Sequence, residues 1–91
     1  MAKKKEPVFK DPRATKLCED IRWLYNINSR GKWVARPRHE HNEIVVGHPD
    51  YRNDLDISTQ VNALIDSLEH LGLAEAFGYT IVNLADDKKN Q

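Results

Sequence analysis

Apolar residues at Ile57, Val61, Leu64, Ile65, Leu68 and Leu71 recur every three or four positions through ISTQVNALIDSLEHLGL. That spacing lines one face of an α-helix and fits no strand, so a helix is predicted over 57–71. Asp56 or Ser58 is placed to cap its start by accepting a bond from a free backbone N–H. Gly72 is placed to end it in the left-handed conformation, with Leu73 folding back on Leu68.

The same period runs through Ala14, Leu17, Cys18, Ile21, Leu24 and Tyr25. Asp11 suits the cap of that helix, and Pro12 suits its first turn, where the missing N–H costs nothing. This helix is predicted to run to about Asn26 and to fray through the turn-forming cluster at 28–31. Trp23 sits off the centre of the stripe.

The pattern then changes. Lys32 to Ala35 and Ile44 to Val46 are short runs rich in β-branched or aromatic residues, and the polar stretch between them, ending in His41 and Asn42, reads as a hairpin tip. Pro37 has no N–H to give to a ladder, which puts the first strand at an edge or bends it. Tyr79 to Leu84 is a third strand, with Thr80, Val82 and Leu84 on one face and Tyr79 and Ile81 on the other. The resulting expectation is one α+β domain over 11–84. It has two helices packed on a small antiparallel sheet in the order α-β-β-α-β, with room for a short extra strand over 74–77. Residues 1–10 read as a flexible basic arm and 85–91 as a polar tail.

Composition adds one fact that the pattern hides. The 91 residues carry 14 Lys and Arg against 14 Asp and Glu, a formal net charge of zero. Yet residues 1–38 hold eleven of the cations and four of the anions, and residues 39–91 hold three and ten. Such asymmetry points to a partner that reads charge, or to halves that neutralise each other on folding. No apolar run approaches a membrane span, and the basic start MAKKKEPVFK lacks the apolar stretch of a secretory signal. The single Cys18 cannot make an internal disulfide, which suits a cytoplasmic setting.

The stretch STQVNALIDSLEHLGLAEAFGYTIVNL resembles the recognition helix and wing of the winged-helix family, with a Leu-Gly-Leu stop before a tight hairpin. The resemblance covers Ser58 to Leu84. It implies a helix ahead of this one, where 32–47 reads as strands. No Lys or Arg occurs from Asn53 through Asp87, so a helix here lacks the cations that DNA phosphates and guanines require. What the resemblance implies is a shape for protein contact.

Two constellations carry candidate chemistry. His39 and His41 would project to one face of a strand, and with His48 could hold zinc, with Glu40 or Glu43 as base or ligand; an H-x-H pair at a polar tip is more often simply solvated. Arg30, Lys32, Arg36 and Arg38 surround Trp33. Cations around an exposed aromatic bind single-stranded nucleic acid or anchor a protein contact; the alternative is a Trp33 packed in the core. There is no Gly-rich phosphate loop and no nucleophile elbow, and Cys18 lies on a buried stripe. The sequence therefore leads to a small non-enzymatic regulatory or adaptor module, without cofactor, that binds a protein with a charged surface through Arg30, Lys32, Trp33, Arg36 and Arg38. In size and style it is similar to the small inhibitors that phages and mobile elements encode. A nucleic-acid-binding accessory protein is the runner-up, and a His-bound metal site the third reading.

Overall fold

Asp11 starts the first helix as its chemistry dictates. Its carboxylate accepts the Arg13 backbone N–H at 2.9 Å, and its carbonyl accepts from Ala14 and Thr15. Helix α1 then runs Pro12–Asn28. The structure, a computed structural model, describes residues 10–28 and 31–87; the first nine residues of the basic arm over 1–10, Ser29, Arg30 and the last four residues lie outside that set.

Strand β1 (Val34–Arg38) pairs antiparallel with β2 (Glu43–Gly47), joined by a single 3-10 turn at His39–His41 and by Asn42 at φ 54°. Helix α2 (Leu55–Leu71) follows, then a 3-10 turn at Glu75–Phe77, strand β3 (Thr80–Asn83) and a last 3-10 turn at Leu84–Asp86. The observed order is α-β-β-α-β, a small α+β fold with β2 central. β1 is an edge strand, which accommodates Pro37.

The sheet is mixed where an antiparallel one was expected. β3 joins β2 in parallel, Ile44 opposite Ile81 and Val45 opposite Val82. The cause is the connection: α2 carries the chain back along one face of the sheet, so β3 re-enters in the direction of β2. The extra strand expected over 74–77 is instead a 3-10 turn between two left-handed glycines, Gly72 (φ 66°) and Gly78 (φ 84°). No wing hairpin follows α2 for the same reasons, so the winged-helix likeness ends at the helix stop.

That stop is a Schellman turn: Leu73 N–H reaches Leu68 O at 3.2 Å, and Gly72 N–H reaches Glu69 O at 3.1 Å. The start differs from expectation. Asp54, not Asp56 or Ser58, caps α2, its carboxylate accepting from Ile57 N–H at 3.2 Å. The helix begins two residues before the apolar pattern, since Leu55 and Asp56 belong to it but are exposed.

Both helices cover one face of the sheet. Ala14, Cys18 and Ile21 from α1 and Ile57, Val61, Leu64 and Leu68 from α2 pack with Ala35, Ile44 and Val46. Each of the larger side chains contributes about 1.5–3 kcal/mol by leaving water. Arg22 ties α1 to the sheet by donating to Ala35 O.

The second face of the sheet carries Arg36, Arg38, Val45, Gly47 and Val82, since directly opposed residues share a face. Val45 is nevertheless buried. The chain after β3 runs back over it: Leu84 lies against Gly47, and Asp87 pairs with Arg38. Ordered structure therefore extends past 84, and Asp87 holds a defined geometry that a polar tail was not expected to have.

Candidate protein-binding surface

The three histidines do not come together. His39 and His41 occupy the 3-10 turn and not a strand, so they share no strand face. His39 Nδ1 is 2.7 Å from the Tyr79 hydroxyl, and His41 is exposed. His48 is buried with both ring nitrogens engaged: Nδ1 accepts the Asp50 backbone N–H at 3.0 Å, which leaves Nε2 to donate to Gly31 O at 2.8 Å. Neither nitrogen has a lone pair to offer a cation. Among the described residues, no group of three or more His, Cys, Asp or Glu is arranged to hold a metal ion.

Of the two alternatives for Trp33, the structure has the core one. The ring is 3% exposed, 4.7 Å from the Tyr25 ring and edge-on to His48 at 5.4 Å. Its backbone N–H is held by the Asn26 side chain at 2.8 Å, while its indole N–H has no acceptor among the described residues. A ring so placed presents no surface for a base or a partner side chain. Arg38 is also committed: Nη1 bonds Asp87 at 3.0 Å and Glu43 at 3.3 Å, and the Asp87 carboxylate raises the Arg38 pKa above its usual value. Lys32 and Arg36 remain exposed, with no ionic partner among the described residues. Arg30 lies outside the described residues, so the expected basic patch reduces to those two cations. Cys18 is fully buried, and loss of hydration pushes its thiol up to about 11, which removes it as a nucleophile.

The surface that sequence reasoning missed is apolar. Leu17, Leu24 and Tyr25 of α1, Leu64, Leu68 and Leu71 of α2, and Leu73 line a shallow groove of about 280 Å³. A second hollow of about 400 Å³ continues it past Leu17 and Leu73 to Pro12 and Phe77. Leu71 is 65% exposed and Leu73 43%. Trp23 and Ile27, 67% and 59% exposed, stand one turn apart on α1, and Ile27 lies one turn beyond Leu24 of the groove. Of the six exposed large hydrophobics among the described residues, Leu24, Leu71 and Leu73 line the groove and Ile27 flanks it, while Trp23 is on the side of α1 away from the buried stripe and Leu55 is at the start of α2. The rim carries both signs: Lys16 pairs with Asp20 at 2.9 Å, and the Arg13 guanidinium stands over the Phe77 ring at 5.2 Å. A contiguous apolar patch with a polar rim is what a protein contact needs, because water leaves the centre while the rim stays hydrated.

No helix among the described residues is long and apolar enough to cross a membrane. No family model, curated protein or solved structure matches the chain.

Proposed function

We propose that the chain is a small non-enzymatic regulatory or adaptor module that binds another protein through the apolar face between α1 and α2. The observation that carries the reading is the groove with Leu24, Leu71 and Leu73 exposed along it and Ile27 one turn beyond Leu24. A groove between two helices, apolar at its floor and charged at its rim, fits an amphipathic helix of the partner, laid in with its apolar stripe down. Lys16 and Asp20 at the rim suit a partner helix with charges of both signs beside that stripe. The place of action in this reading is the cytoplasm, where the lone Cys18 thiol stays reduced.

Affinity capture from the native host lysate after nuclease treatment tests the reading, with three baits. Wild type and Arg36→Ala are expected to retain the same protein, and a Leu71→Asp, Ile27→Asp bait to lose it. Both substituted residues of that bait are exposed, so its fold is expected to survive. Capture that vanishes with nuclease, or that depends on Arg36 and ignores Leu71 and Ile27, favours the nucleic-acid reading and contradicts this one.

A further inference from the structure

β3 is the outer strand of the three-stranded sheet, and among the described residues no strand pairs with its far side. Thr80 N–H bonds Asn42 O at 3.0 Å, towards β2. Backbone groups alternate in direction along a strand, so the N–H and C=O of Ile81 point to the open side. Beside that edge lies a cleft of about 300 Å³ lined by Leu68, Glu69, Ala74, Glu75, Tyr79 and Ile81, with Thr80. Its floor is apolar, from Leu68, Ala74, Tyr79 and Ile81, all buried or half-buried. Its rim is acidic: Glu69 and Glu75 are exposed, and neither has an ionic partner among the described residues. No Lys or Arg occurs between Asn53 and Asp87, so α2, the turn after it and β3 bring no Lys or Arg of their own to this rim.

We propose that the β3 edge and this cleft form a site for an extended basic peptide, which adds a fourth strand to the sheet. Main-chain bonds to the open edge hold the peptide extended, and side chains of one parity face the helices. One aliphatic side chain of that parity enters the cleft against Leu68, Ala74 and Ile81. Lys or Arg two positions to either side share its face and meet Glu69 and Glu75. The pattern recognised is therefore basic, any, aliphatic, any, basic, with the main-chain N–H groups of one parity bonded to the edge. Leu68 is the one lining residue this cleft shares with the α1–α2 groove, so variants elsewhere in either lining separate the two contacts.

A fluorescence-polarisation titration of the full chain tests the site, using a labelled peptide in which Leu is flanked at two positions either side by Lys, with Thr between. Saturable binding is expected, weakened at least tenfold when Glu replaces both Lys in the peptide, when the main-chain nitrogens of Leu and the following Thr are both methylated, which blocks one N–H of each parity, and when the protein carries Glu69→Lys and Glu75→Lys together. Leu71→Asp should bind the peptide as wild type does, which separates this site from the groove. Absence of saturable binding, binding indifferent to the paired N-methyl groups, or binding unaltered by the paired glutamate substitutions overturns the proposal. Circular dichroism of the doubly substituted chain must match wild type; the peptide variants carry the test independently of it.

Discussion

Arg38 and Asp87 meet across the second face of the sheet, Nη1 to Oδ1 at 3.0 Å, although 49 residues separate them in the chain. The Asp87 side chain is 3% exposed and that of Arg38 16%. The pair pins the segment after β3 against the face that carries Val45, and Val45 is buried there. Removing either partner takes from the other its near-buried opposite charge, which costs more than the pair contributes. Arg38→Ala and Asp87→Ala should each lower the thermal midpoint by several degrees. The double variant should lose less than the sum, with a coupling of about 0.5–3 kcal/mol. Additive midpoints in a double-mutant cycle would mean that the pair is not formed.

Gly47 makes the same closure possible. A Cβ built on Gly47 would sit 2.5 Å from the Leu84 Cβ, closer than two carbons approach. Gly47→Ala should therefore destabilise the fold by forcing the last turn off the sheet. Leu84→Ala should not rescue it, because alanine keeps that Cβ. Urea melts of the single and double variants check this, and a rescue would place Leu84 elsewhere.

Within α2 the buried and exposed leucines should behave differently. Leu64→Ala and Leu68→Ala remove side chains that are 6% and 4% exposed, and about 2–5 kcal/mol is the usual loss. Leu71→Ala, at 65% exposed, should change stability by no more than about 0.5 kcal/mol. Thermal melts of the three variants order them, and an equal loss at Leu71 would mean that its side of the helix is core.

Acid should act through Asp11. The Arg13 guanidinium and backbone N–H beside it hold its carboxyl below the usual 3.8, so folding favours the charged form. Its contribution is complete above the unfolded-state pKa and is lost as pH falls through the lower folded-state value. The stability gap between wild type and Asp11→Asn should thus be full near neutrality and should narrow below about pH 4. Urea melts of both proteins across that range measure it; a gap that widens with acid would contradict the assigned contact.

Much of the fold is legible in the residues because its causes are local. The Asp11 cap, the period of α1, the 57–71 stripe and the left-handed stop at Gly72 each depend on a few neighbouring positions, and each is in the structure. The direction of β3 is not local: it depends on α2 crossing the sheet, and the residues of 80–83 read alike in either direction. Asp87 looked like tail because its partner is half a chain away. The binding surface escaped for a related reason. Leu24 and Leu71 fall on the apolar stripes of their helices, and a stripe shows which side avoids water without showing whose core it enters. Trp33, between Lys32 and cations further on, reads equally as anchor or core, and only packing against Tyr25 and His48 decides.

The central claim is that the face between α1 and α2 is where another protein docks. Photo-crosslinking inside the native host, with a light-activated side chain placed at Leu71, at Ile27 or at Arg36 on the opposite side, tests it most directly. The account predicts one protein adduct of the same mass from both Leu71 and Ile27 and none from Arg36. Adducts from Arg36 alone, or adducts removed by nuclease, would contradict it.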